Sequence, residues 1–153
     1  MTVLSPARFI STMQKNAQLY AALLQNVSQQ KAAETWDGDW NMIAVLCHVR
    51  DFDHIFMERA QQMQREDNPT LVPVDHEALA EEKDYNAQEL QHVLDDFITH
   101  RQDFVTWFQS LDESDWEKHG IHPEHGSYSI FEQAVQVATH DIDHLEQLAR
   151  MLS

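Results

Sequence analysis

The sequence predicts an all-α fold, a single domain over residues 1–153 in which four amphipathic helices form a bundle, and three observations lead to it. Only three Gly and four Pro occur in 153 residues, so the chain has few breaks, and the residues that cost a helix least, Ala, Leu, Gln, Glu and Met, are abundant. Apolar residues recur at three- and four-residue spacing over four long stretches. Polar, proline-containing segments separate those stretches, and the one between the second and third is long.

Each helix has its own signals. Ser5-Pro6 supplies an N-cap and a proline at the first helical position. Phe9, Ile10, Met13, Ala17, Tyr20, Leu23, Leu24 and Val27 then keep helical spacing, which predicts a first helix over Ser5–Gln29. Trp36-Asp37-Gly38-Asp39 breaks the pattern and caps a second helix over Trp40–Arg65. From Asn68 to Asp84 the chain holds two prolines and a short helical piece, Asp75–Lys83. A connection of that length carries the chain back to begin a helix parallel to the second, which a tight loop does not. The third helix is predicted over Tyr85–Leu111, with Leu90, Val93, Leu94, Phe97, Phe104, Phe108 and Leu111 on one stripe. Residues Asp112 to Ser127 are polar and turn-rich, and Ser129-Ile130-Phe131-Glu132 then forms a capping box that starts a fourth helix running to the C-terminus.

Charge and cysteine content narrow the function. Ten basic residues against twenty-six acidic ones give a formal charge of -16, and a surface that negative repels phosphate backbones and anionic headgroups, so neither nucleic acid nor a membrane is an expected partner. The single cysteine, Cys47, excludes an internal disulfide and an all-thiolate metal cage, and it fits a reducing cytoplasm. Met1 to Ser5 is too short and polar to act as an export signal.

Three histidines carry the chemistry. In a chain with ten of them, a pair at i, i+4 such as His140 and His144 arises by chance, so orientation has to decide. At about 100° per residue, His48 falls among Val45, Phe52, Ile55 and Phe56, while Arg50, Asp53 and His54 fall on the other side. His140 and His144 lie at the edge of the arc made by Ile130, Val137, Leu145 and Leu148. Three imidazoles brought together inside a bundle need a common partner, and a divalent cation with His48, His140 and His144 as ligands supplies it. Three protein ligands leave coordination positions open, as catalytic sites do. Spacing alone leaves a second reading open, a satisfied core histidine beside a solvated pair. A dinuclear carboxylate site built on Glu89-x-x-His92 and Asp141-x-x-His144 is excluded, because the first helix has no Asp or Glu and His92 falls opposite the core stripe.

At these residues the chain resembles the DinB/YfiT-like superfamily of helical metal-binding proteins. The resemblance rests on Trp40 or Trp36 before the second helix, on Leu46-Cys47-His48-Val49-Arg50-Asp51 within it, and on His140-Asp141-Ile142-Asp143-His144 in the fourth. His122-Pro123-Glu124-His125-Gly126 and the stretch from Asp67-Asn68-Pro69 to Asp75 extend it over nearly the whole chain. It implies an up-down-down-up bundle, a homodimer, and nickel or zinc on the three histidines, with iron, manganese and copper as further choices. It also implies a metal-dependent enzyme that activates a low-molecular-weight thiol or water on a small-molecule substrate, of thiol transferase or hydrolase type. The alternative is a non-catalytic dimeric bundle in which the ion is structural.

Other residues receive expectations of their own. Asp51, one turn from His48, is expected to orient it or to act as a general base, and Asp143 and Gln147 lie within reach of the same faces. Arg59, Arg101 and Asp141 fall on inward stripes and are expected to form an Arg–Asp network linking helices, in preference to recognising a substrate anion. His119, His122 and His125 invite a second metal, which a loop of Pro and Gly is not expected to hold, so they are expected to border the mouth of the site or lie in solvent. The four tryptophans are expected to pack the bundle ends, with one of them lining a substrate pocket as the lesser alternative, and Cys47 to face away from His48.

Overall fold

Ser5 accepts a hydrogen bond from the Arg8 backbone N–H, and Pro6 opens α1, Pro6–Leu24. In the computed structural model, which describes residues 3–36 and 40–153, this helix ends five residues earlier than its apolar stripe suggests. Ser28 caps a separate single turn, α2, Gln29–Ala32. The cap of α3, Met42–Arg65, is Asn41, whose side chain accepts from the Ala44 N–H. That moves the start two residues past Trp40; the rest of the expected cap, Asp37 to Asp39, lies outside the described residues.

The crossover carries α4, His76–Glu82, capped by Asp75. The third long helix, α5, covers Leu90–Gln109. Its expected start at Tyr85 is too early, because Asp84 takes a left-handed φ of 48° and Tyr85–Ala87 form a 3-10 turn that an extended Gln88 ends. After a second 3-10 turn, Glu113–Glu117, the segment expected to be loop is a two-stranded antiparallel hairpin, β1 His119–His122 and β2 Gly126–Ser129. The left-handed φ of Gly126, 79°, allows the turn. Finally α6, Ile130–Leu152, starts at the capping box: Ser129 N–H donates to Glu132 at 2.7 Å and Glu132 N–H to Ser129 at 3.1 Å.

Side-chain contacts fix the topology. α1 runs antiparallel to α5, with Arg101 bonding the Met13 carbonyl and Gln91 the Leu24 carbonyl. It runs parallel to α6, with Phe9 against Phe131 and Tyr20 on the Asp141 carbonyl. α3 is parallel to α5, as Arg50–Gln88 and Asp53–Arg101 show, and antiparallel to α6. The order is therefore up-down-down-up, with the crossover between α3 and α5 required by their parallel course. That crossover is tied to the hairpin, since the Leu71 N–H donates to the Ile121 carbonyl and the Ile121 N–H to Pro69, both at 2.8 Å. Among the described residues no helix is long and apolar enough to cross a membrane.

Two hydrophobic clusters fill the interior. One gathers Tyr20, Leu24, Ile43, Leu46, Leu90 and Phe97; the other gathers Met13, Phe56, Met63, Phe104, Phe108 and Ile130. Between them lies a buried polar layer. Arg101 donates to both Asp53 and Asp141 at 2.7–3.1 Å, and Asn16 and His100 complete it.

Candidate metal centre

The capping of α3 and α6 and their antiparallel packing place three imidazoles at one level. His48 Nε2 lies 2.9 Å from His140 Nε2, and His144 Nε2 lies 3.2 Å from the same atom. All three residues can offer a nitrogen to one point. His48 is 7% exposed, while His140 and His144 are half-buried, so the group opens toward solvent on one side. Trp40 sits over the His48 ring at 5.2 Å, Phe52 at 4.6 Å, and Phe56 lies 5.3 Å from His140.

The donor set fits a divalent cation. Nitrogens about 2.0–2.1 Å from a common ion, at right to tetrahedral angles, lie roughly 2.9–3.4 Å apart, which is the spacing seen. Burial, then the neighbouring imidazoles His140, His144 and His76, push His48 down to about 2. Burial, then His144 and Arg101, push His140 down to about 3. The His48 and His140 rings are thus neutral at pH 7, the state a metal requires. Three inward lone pairs repel one another, and a single shared proton relieves only one pair; a cation relieves all three. His144 Nδ1 donates to Gln147 Oε1 at 2.8 Å, which holds its Nε2 lone pair inward. His48 Nδ1 is buried without a partner.

The sequence matches the DinB superfamily over residues 12–148. The chain belongs to the DinB superfamily. YfiT from Bacillus subtilis, a probable metal-dependent hydrolase with an unusual four-helix bundle topology, superposes on it with a TM-score of 0.84 at 16% identity, covering 99% of this chain and 90% of its own. A mycothiol-dependent maleylpyruvate isomerase superposes with a TM-score of 0.79 at 14% identity, covering 97% of this chain and 63% of that enzyme, so this DinB chain spans under two thirds of its length. At such identities the likeness establishes a shared fold. No curated protein matches the sequence.

Around the triad of this DinB protein, several expected roles change hands. Asp51 neither orients His48 nor faces the triad; it accepts from Tyr85 at 2.6 Å, Arg50 at 2.9 Å and Lys83 at 3.2 Å, on the α5 side of its helix. That side carries a cleft of about 850 Å³ lined by Asp51, His54, Lys83, Asp96 and His100. Asp143 is exposed, which leaves Gln147 as the residue that positions the His144 ring. Arg101 and Asp141 sit in the buried Arg–Asp layer, whereas Arg59 is outside it: its Nη2 donates to the Val72 carbonyl at 3.0 Å and its Nε is buried without a partner.

Three features escaped the sequence. Trp40 does not close a bundle end but borders the triad, and His76, delivered by the crossover, stands 5.8 Å from the His48 ring. The turn-rich segment holds fixed geometry as a hairpin, in which His122, Glu124 and His125 come together without His119. Cys47 does face away, toward the Tyr85 carbonyl at 3.9 Å, and burial pushes its thiol up to about 12, so it stays an inert thiol.

Proposed function

We propose that this protein is a divalent-metal enzyme acting on a small molecule, with His48, His140 and His144 as ligands and a thiol or water as the activated nucleophile. The observation that carries the reading is the convergence of three imidazole nitrogens at 2.9 and 3.2 Å beside an apolar wall of Trp40, Phe52 and Phe56. A cation held there lowers the pKa of a bound water or thiol and so supplies a nucleophile at neutral pH. The chain's own contribution is positional. Gln147 fixes the His144 ring, Phe56 and Phe52 flank His140, and Trp40 with His76 covers His48, limiting water to the side where His140 and His144 are half-buried. YfiT favours the water arm and the mycothiol-dependent isomerase the thiol arm.

The ion of this proposal is nickel or zinc, both of which accept imidazole. Metal analysis of purified protein, before and after reconstitution, tests the site. Close to one equivalent is expected, falling to a trace in His140→Ala; less than about a tenth of an equivalent in the reconstituted wild type sinks the proposal. The nucleophile is then assigned by screening the loaded protein against electrophilic acceptors with and without low-molecular-weight thiols. Turnover that needs the thiol identifies a transferase or isomerase, and turnover without it a hydrolase.

A further inference from the structure

Among the described residues, every buried carboxylate has a cationic partner: Asp51 has Arg50 and Lys83, Asp53 and Asp141 share Arg101, and Asp115 has Lys118. The buried cation Arg59, 7% exposed, has no carboxylate partner among the described residues. It holds one carbonyl, that of Val72, and reaches the Tyr128 hydroxyl, while its Nε–H is buried with no hydrogen-bond partner among the described residues. A guanidinium removed from water without a counter-ion is costly, and one left so in a chain of charge -16, where acidic partners abound, is a place kept for an anion.

The surroundings suit that ion. His122, 3% exposed, lies in the field of Arg59. Its Nδ1 accepts from the Glu124 backbone N–H at 3.1 Å, so the neutral ring carries its proton on Nε2, as a donor. The same guanidinium disfavours a cation on His122, Glu124 and His125, which argues against a second metal there. Tyr128 donates to Gln133 Oε1 at 3.1 Å, and Gln133 Nε2 donates to Gln136 Oε1 at 3.0 Å. Gln136 is one turn before His140, so the chain of amides runs along α6 toward the triad. From Gln133 to His140 the helix rises roughly 10 Å, the distance an acid held at both ends would bridge.

We propose that Arg59, with Tyr128 and His122, forms an anion subsite at the hairpin end of the α3–α6 seam, and that it takes a carboxylate of the small molecule whose other end reaches His48, His140 and His144. This rests on the metal-enzyme reading above and adds a substrate class to it. The planar fork of Nε and the adjacent amino group matches a carboxylate edge-on, which a lysine does not.

Succinate, titrated into the full chain loaded with zinc, tests the subsite, with calorimetry for affinity and NMR on the Arg59 Nε–H resonance. Succinate is expected to bind saturably and to move that resonance, neutral succinamide to give no binding, and phosphate to bind more weakly than succinate. Arg59→Gln is expected to weaken succinate at least tenfold and Arg59→Lys by less. Because Arg59 also holds Val72, Tyr128→Phe is the second variant, leaving that bond in place and weakening succinate several-fold. Equal binding to wild type and Arg59→Gln, no binding at tens of millimolar, or tighter binding of phosphate overturns the proposal. Repeating the titration after chelation separates the two claims. Zinc uptake without succinate binding removes the subsite alone, whereas Arg59-dependent succinate binding by a protein that takes up no metal removes the metal reading alone.

Discussion

Arg101 directs its five N–H bonds to the Met13 carbonyl, Asp53 and Asp141, so one side chain on α5 touches α1, α3 and α6 at once. The three charges are almost fully buried, and two carboxylates share one guanidinium. Burial would raise Asp53, but Arg101 and His100 hold it below the usual carboxylate range, whereas burial leaves Asp141 above it. Arg101→Met strands both carboxylates, and urea unfolding is expected to show a loss of about 3–5 kcal/mol, several times that of an exposed pair; a loss under about 1 kcal/mol would show that the layer contributes little. Asp51 contributes to the acid limb of stability. Burial raises its carboxyl, yet bonds from Tyr85, Arg50 and Lys83 bring it below its ordinary value. A depressed carboxylate stabilises the fold fully above its unfolded pKa of about 3.9, and the gain disappears as pH falls through the folded value. Asp51→Asn is therefore expected to lower the urea midpoint at pH 6 and to flatten its fall between pH 4 and 2; an unchanged acid limb would assign that fall to other groups.

At the scale of elements, what the sequence made legible depended on whether the signal was local. The start of α6 was readable to the residue, because a capping box is a contract between Ser129 and Glu132 and needs no tertiary partner. The His48–His140–His144 set was readable because helical periodicity puts each ring on a core-facing stripe. The start of α5 was not, since Tyr85 continues the apolar pattern while Asp84 turns left-handed and the Tyr85 hydroxyl is claimed by Asp51. Arg59 and Arg101 look alike on a helical wheel, and only assembly gives one of them two carboxylates and the other none. The hairpin was hidden too, because His119–Ser129 lacks apolar alternation and is held by the crossover and by Met63. A Cβ on Gly120 would lie 2.9 Å from Met63 Cγ and 3.2 Å from Leu71 Cδ1. Gly120→Ala is accordingly expected to cost about 1–3 kcal/mol by displacing both side chains, with faster amide exchange at Leu71 and Ile121; unchanged exchange there would show that the hairpin and crossover yield without strain.

Across the whole molecule, the polar layer and the triad do different work on the same bundle. Arg101 sets the register of four helices from inside, between two hydrophobic clusters, and it is complete in the protein itself. The triad joins only α3 and α6, and if it holds an ion as proposed, the stability of that seam depends on metal concentration. An ion that binds the folded chain and not the unfolded one adds about 2.7 kcal/mol at one hundred times its Kd. For a chain of this size that raises Tm by about 5–10 °C. The shift should be absent in His140→Ala, where the central nitrogen of the set is gone, and retained in Asp51→Asn, because Asp51 bonds Tyr85, Arg50 and Lys83 and not the triad. Scanning calorimetry with stepwise zinc or nickel reads all three. A wild-type Tm that ignores the metal, or a His140→Ala Tm that still follows it, would mean that these imidazoles do not bind the ion as a set.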